Sequence, residues 1–143
     1  MKVSMVPPGH IHDCWEYVKP YMEMAAKQTH GRFHDEDIFD LVTQRNDHHL
    51  WVAFDDGPTY YGAVVTGFTE YPNKRVLNMH FCGGEELDKW KDPMLALLRR
   101  WAKDMQCDAI EFSGRKGWTK IFAGDGNQVR WVTCELPLGD KIG

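Results

Sequence analysis

The sequence predicts a single α/β domain with a mixed, mostly antiparallel sheet, and three observations support this prediction. The chain has 143 residues, which is close to the usual size of one domain. Three apolar stretches between residues 50 and 81 are separated by two turns and predict an antiparallel meander. The helix and strand that follow predict a right-handed β-α-β crossover between parallel neighbours. Over residues 1–143 the predicted order is β-α-α-β-β-β-α-β-α-β.

Two helices are predicted between a short first strand at residues 3–6 and the meander. Apolar residues at helical spacing from Trp15 to Ala26 predict the first helix, and Pro20 is expected to bend or divide it. Asp35 is the predicted N-cap of the second helix.

The third strand of the meander has alternating faces. Asn78 and His80 are expected on the face opposite Met79, because successive strand residues point to opposite sides. The predicted strands of the meander cover residues 50–54, 60–68 and 75–81.

The C-terminal third begins with Asp92-Pro93, an N-cap residue followed by proline, which predicts a helix from residue 93 to about residue 106. Trp101 lies on the apolar stripe of this helix. The remaining predicted elements are a strand at residues 108–113, a short helix at 118–122 and a last strand at 128–136.

Composition excludes some classes of protein. The net charge of −4 and the pI near 5.9 argue against a general nucleic-acid binder, whose domains usually carry excess positive charge. No apolar run approaches the ~20 residues that span a bilayer, and the first residues lack the apolar stretch of a signal peptide. A cytoplasmic protein without membrane contact is therefore expected. The four cysteines are widely spaced and are expected to be reduced.

The predicted order of elements resembles the GNAT N-acetyltransferase superfamily over nearly the full length. The best local match is the C-terminal third, where Glu111 to Trp118 reads Glu-x-x-Gly-Arg-x-Gly-Trp. This string is also similar to small GNAT-like proteins of tailed bacteriophages, which would place the chain in a host cytoplasm or a virion. The resemblance implies that acetyl-CoA would lie between the two strands joined by the crossover helix, with its diphosphate at the helix N-terminus.

The resemblance also indicates which residues would hold acetyl-CoA, if it binds. The backbone around Met79 and Phe81 would orient the thioester, and Gly83, Gly84 and Lys89 in the predicted loop at residues 82–91 would hold the diphosphate.

The chain departs from the family pattern at two places. The same loop contains Glu85, Glu86 and Asp88, whose negative charges oppose a diphosphate. Phe122 stands near the position where many family members have a tyrosine that protonates the leaving thiolate. If the chain acts through protein contacts and not as an enzyme, no cofactor is therefore expected.

Two titratable residues are the catalytic candidates if the chain is an enzyme. Glu111 is in a predicted strand, where burial would raise the pKa of its carboxyl and suit it to act as a base. The alternative is a glutamate paired with Arg115. His80 would be a base at the mouth of the cleft, or alternatively a half-buried structural histidine.

No metal site is predicted. His30 and His34 have the spacing of a zinc-binding pair, but the residues between them lack the glutamate that zinc proteases need.

Two functions follow from these observations. The first is a GNAT-like domain with a degenerate acyl-CoA cleft that acts through protein contacts, as a phage-encoded, virion-associated protein bound to other virion proteins would. Trp90 and Trp118, in or beside predicted loops, are its candidates for exposed anchors. The alternative is an acetyl-CoA-dependent N-acetyltransferase that acts on an amine of a protein or small molecule.

Overall fold

A computed structural model describes residues 1–57, 59–114 and 120–139, without the side chain of Ala123. The chain forms two compact units, residues 1–113 and residues 114–143. The prediction of one domain over residues 1–143 stays a prediction. Within the first unit, the mixed sheet and the β-α-β crossover confirm the predicted fold class.

The first unit is built on a five-stranded sheet in the order β1-β2-β3-β4-β5. Neighbours from β1 to β4 are antiparallel, and β5 is parallel to β4, as predicted. The strands are β1 (Lys2–Met5), β2 (His48–Asp55), β3 (Thr59–Tyr71), β4 (Lys74–Gly84) and β5 (Ala109–Phe112). The helices are α1 (Ile11–Lys27), α2 (Asp35–Gln44) and α3 (Leu87–Asp104).

One face of the sheet is covered by α1 and α2. Apolar residues of both helices recur at helical spacing and pack on alternate strand residues, because only one side of each strand faces them. Pro20 does not divide α1, which is continuous from Ile11 to Lys27. Val18 and Met22 are fully buried on either side of the proline and hold both halves of the helix against the sheet. At the start of α2, the Asp37 carboxylate accepts a hydrogen bond from the His34 amide.

The other face of the sheet is covered by α3, which begins earlier than predicted. The helix starts at Leu87, and Pro93 lies inside it. The predicted start at Pro93 was wrong because Trp90 already anchors the first turns. Trp90 is buried, and its indole N–H donates to the Glu85 carbonyl at 2.8 Å. Trp90 is therefore part of the core and cannot be an exposed anchor.

The second unit contains less regular structure than predicted. Phe122 is buried, and a 3₁₀ turn at Ala123–Asp125 ends at Gly126. The predicted strand at residues 128–136 is wrong: these residues have no strand structure, and Trp131 is 64% exposed. Alternating apolar residues form a strand only when a neighbouring backbone pairs with them. Of the predicted helix at 118–122, residues 118 and 119 lie outside the described residues.

Candidate functional site

Strand β4 has a bulge at the point where its pairing with β5 ends. Its pairing with β5 stops at Met79, opposite Phe112, whereas its pairing with β3 continues to Gly84. The β3 register skips His80, because neighbouring residues of β3 oppose Met79 and Phe81. An extra residue of this kind bends a strand and disrupts its ladder. Along residues 80–84 the edge of β4 that faces away from β3 therefore has no strand partner among the described residues.

His80, the bulge residue, is joined to a buried histidine and a carboxylate. Its Nδ1 lies 3.2 Å from Nε2 of His48, and Nδ1 of His48 lies 2.9 Å from Oδ1 of Asp47. His48 is the first residue of β2 and is buried, whereas His80 is exposed. The three side chains form one continuous hydrogen-bonded chain that ends at the strand opening.

Gly67 leaves space for the imidazole ring of His48. A Cβ at Gly67 would lie 2.8 Å from Nε2 of the His48 ring, which is closer than van der Waals contact. Gly67 is the register partner of His48 in β3, so the imidazole packs directly on the glycine backbone. A glycine at this position therefore determines where the His48 ring lies.

The electrostatics favour a neutral His80 and an ionised Asp47. The surrounding protein removes water from part of the His80 ring, which lowers its pKa below the ordinary 6.5, and nearby His48 lowers it further. The hydrogen bond from His48 lowers the pKa of Asp47. At neutral pH the three hydrogen-bonded side chains therefore include an ionised Asp47 carboxylate and a neutral His80 that can accept a proton.

Glu111, the other candidate base, lies in different surroundings. It is half-buried on β5, where it opposes Asn78 in a part of the ladder that is still paired. The Tyr71 hydroxyl lies 3.4 Å from its Oε2, and burial together with the Glu111 charge raises the pKa of Tyr71. Arg115, the predicted partner of Glu111, lies outside the described residues. That Glu111 is catalytic stays a prediction.

Two of the predicted acetyl-CoA residues have buried side chains. Met79 and Phe81 are 7% and 4% exposed, and the Phe81 ring packs edge-on against Phe33 at a centroid distance of 5.0 Å. Phe81 can therefore offer a ligand only backbone atoms. Met79 precedes the opening and pairs with strands on both sides.

Gly83 and Gly84 belong to β4 and not to a loop. A Cβ at Gly83 would lie 2.1 Å from the Tyr21 carbonyl oxygen of α1, and a Cβ at Gly84 would lie 2.7 Å from Gly62 Cα of β3. Both glycines therefore allow close packing of α1 and β3 against β4. The predicted loop at residues 82–91 is reduced to Glu85 and Glu86, because β4 ends at Gly84 and α3 begins at Leu87.

The N-terminus of α3 thus follows directly on the open edge of β4. The first amides of a helix have no partner within the helix and suit an anion. The Lys89 ammonium lies 2.7 Å from the Glu86 carboxylate, so its charge is already partly neutralised. Glu85 and Asp88 are exposed beside it. The site offers backbone donors to a diphosphate together with an unfavourable acidic surface.

No protein-family model matches the chain, and no curated protein sequence matches it. The solved structures that share its fold include two acetyltransferases and a transcriptional regulator. A ribosomal-protein-alanine N-acetyltransferase from Brucella melitensis biovar Abortus 2308 is 12% identical with a TM-score of 0.68, covering 96% of this chain and 100% of its own. An aminoglycoside acetyltransferase from an uncultured soil metagenomic sample is 8% identical with a TM-score of 0.70, covering 98% and 96%. A transcriptional regulator from Bacillus halodurans C-125 is 12% identical with a TM-score of 0.66, covering 96% and 99%.

The chain has the GNAT fold. At these identities the similarity shows the fold alone, so activity has to be argued from the site. The comparisons do not bear on the resemblance to phage proteins, which stays a prediction.

A nucleophilic thiol and a metal site have less support as alternatives to the His80 site. Burial raises the pKa of the Cys82 thiol to about 12, so it is not a nucleophile near neutral pH. Among the residues that the structure describes, no group of three or more His, Cys, Asp and Glu side chains could hold a metal ion. In the same residues, no helix is long and apolar enough to cross a membrane.

Sequence reasoning missed the connection of Asp47 and His48 to His80. The sequence carries two signals for them: the Asp-His pair just before an apolar strand, and Gly67 inside the neighbouring strand. A glycine inside a strand often marks a place where another group approaches the backbone closely.

Proposed function

We propose that the protein is an acetyl-CoA-dependent N-acetyltransferase in which His80 is the general base. One observation supports this most: the bulge at His80 coincides with the end of pairing between β4 and β5. It brings together at one opening an imidazole that is neutral at pH 7 and the backbone edge of residues 80–84, which no described strand pairs with. An acyl transfer from a thioester to an amine needs both a base and a polar backbone edge.

Acetyl-CoA would supply the acetyl group as a thioester. The new C–N bond forms at the acceptor nitrogen as the C–S bond breaks. In the protein, the edge of β4 at residues 80–84 would bind the extended part of the donor by backbone hydrogen bonds, and the first amides of α3 would face its diphosphate. His80 would take the proton that the acceptor amine loses, which typically contributes about 10²–10⁴-fold to the rate. The departing thiolate would take its proton from solvent.

The acceptor would be a primary amine of a protein or small molecule. The similar structures include enzymes named for a ribosomal-protein alanine and for aminoglycosides, and both names refer to amine-bearing acceptors. The acceptor panel for an assay should therefore contain peptides with a free N-terminal alanine and aminoglycosides. Cytoplasmic localisation is a further expectation.

Calorimetry and a turnover assay test this function. Acetyl-CoA titrated into the protein at low salt, where charge attraction is least screened, should bind with a micromolar Kd. Release of free CoA should depend on an added primary amine. Binding without turnover on any acceptor of the panel would count against the enzyme, and absence of binding would exclude it.

The second candidate is a GNAT-like domain that acts through protein contacts. The exposed carboxylates of Glu85 and Asp88 at the start of α3 favour it, because their negative charges oppose a diphosphate, and the Lys89 ammonium is already paired with Glu86. The same titration separates the two functions, since this candidate requires an acetyl-CoA site that stays vacant. A virion association and virion partners remain predictions.

A further inference from the structure

We propose that Asp47 and His48 are positioning residues that hold His80 with an unprotonated Nε2 and accept the charge that His80 gains in the reaction. This inference rests on the proposed function for its role in catalysis. Its structural part, the protonation pattern of the three side chains, stands independently. The pair lies outside every residue set that the sequence predicted.

The order of hydrogen bonds determines the protonation pattern. An ionised Asp47 only accepts, so Nδ1 of His48 must carry the proton in the 2.9 Å contact. Nε2 of a neutral His48 is then an acceptor, so Nδ1 of His80 must donate in the 3.2 Å contact. In a neutral His80 the proton is thus on Nδ1, and Nε2 has a free lone pair. This is the form of histidine that can remove a proton from an amine.

The hydrogen bonds that join His80, His48 and Asp47 can also move positive charge away from the opening. When Nε2 of His80 takes a proton from the acceptor ammonium, the proton on its Nδ1 can pass to Nε2 of His48. His48 then becomes an imidazolium next to the Asp47 carboxylate, and His80 is neutral again. Only N–H bonds break and form, one proton moves at each step, and the net charge is unchanged.

The surroundings hold the pair in place. The His48 side chain is only 6% exposed, and its ring is held against Gly67. Arg45 binds Asp47 through two contacts of 3.2 Å, which orients the carboxylate toward His48. Arg45, Asp47 and His48 are the charged or titratable groups that shift the pKa of His80: Asp47 raises it, and the other two lower it.

The protonation pattern can be measured without any activity. In ¹⁵N NMR spectra of the full chain at pH 7.5 without acetyl-CoA, we expect His48 and His80 both protonated at Nδ1 and bare at Nε2. A wild-type His80 protonated at Nε2 would overturn the proposal. Should turnover be absent while both histidines show the expected pattern, the proposed enzyme and the catalytic role of the pair fail, and the protonation pattern stands.

Substitution of Asp47 gives the catalytic readout. Asp47→Ala should lower the pKa of His80 further, because the carboxylate raises it, so the acid limb of kcat/KM should move to lower pH. In the same variant kcat should fall by about tenfold or more, with KM for acetyl-CoA unchanged. The matched control is Asp56→Ala, an exposed aspartate paired with Lys2, which should change neither quantity. An unmoved acid limb in Asp47→Ala would overturn the proposal.

Two substitutions of His48 separate positioning from packing. His48→Phe keeps an aromatic ring over Gly67 but removes the acceptor for Nδ1 of His80, whereas His48→Gln keeps a side-chain carbonyl that can accept. We expect lower kcat in the phenylalanine variant than in the glutamine variant at similar folded stability. Equal activities of the two variants would contradict the proposal, and the Asp47 variant tests it even if neither folds.

Discussion

His48 and His49 are neighbours in β2, yet their surroundings differ completely. Strand alternation puts them on opposite faces of the sheet. His48 joins the hydrogen-bonded chain to His80 at the strand opening. His49 lies among aromatic rings, and its ring centroid is 5.3 Å from those of Phe68 and Trp101. Among the described residues, none forms a hydrogen bond with its buried Nδ1. Burial lowers the pKa of His49 as it does that of His80. A lowered pKa therefore does not identify a base, whereas a connection to a carboxylate and an opening does.

The largest expected difference is in kcat, between a substitution of His80 at the strand opening and one of His49 on the opposite face of the sheet. His80→Gln should reduce kcat for acetyl transfer by about 10²–10⁴-fold, because the general base is lost. His49→Phe should leave kcat within about twofold of wild type, since its ring only packs, and removing an unpartnered buried nitrogen is neutral or stabilising. Steady-state kinetics with a saturating amine measure both. Equal losses in the two variants would mean that the comparison is wrong.

For the free energy of unfolding we expect the opposite order, with the larger loss on the His49 side of the sheet and the smaller loss at His80. Trp101 contacts His49, Trp51 and Phe68 with its ring and is half-buried. Trp101→Ala should lower the free energy of unfolding by about 3 kcal/mol through loss of packing. His80→Gln, which alters one hydrogen bond to His48 on an exposed bulge, should lower it by about 1 kcal/mol or less. Urea unfolding followed by fluorescence measures both, and an unchanged midpoint for Trp101→Ala would show that this cluster is not part of the core.

The smallest expected effect is on the pH dependence of stability. His49 and His80 have folded-state pKa values below the ordinary 6.5, so the folded protein binds fewer protons than the unfolded chain. Their contribution is present above pH 6.5 and is lost as the pH falls below it. The protein should therefore unfold at a slightly lower urea concentration at pH 5.5 than at pH 7.5. The difference should shrink in His49→Phe, and an unaltered difference would assign it to other groups.

Most of the fold could be predicted from local signals, and most of the site could not. The meander and the crossover follow from turns, periodicity and apolar stripes, which are properties of short segments. The bulge at His80 depends on how β3 and β4 pair, and residue order does not show this. The contact between His48 and His80 joins strands that are not neighbours in the sheet.

The errors have the same cause. Pro93 is usually a helix-start signal, but burial of Trp90 extends α3 past it. The Gly83-Gly84 pair suggested a loop, but close packing of α1 and β3 explains both glycines. Residues 128–136 alternate like a strand, but pairing, which the sequence does not show, decides the outcome. In the first two cases a tertiary contact overrides a local preference, and in the third the described residues lack the strand partner that the local preference needs.

The most direct test of the central claim is the location of acetyl-CoA on the protein. Amide ¹H–¹⁵N spectra recorded during an acetyl-CoA titration would show it residue by residue. The proposed site predicts shifts at residues 80–84 of β4 and at the first residues of α3, with little change around His49 and Trp101. Shifts confined to the His49 side, or no shifts at millimolar acetyl-CoA, would contradict the account.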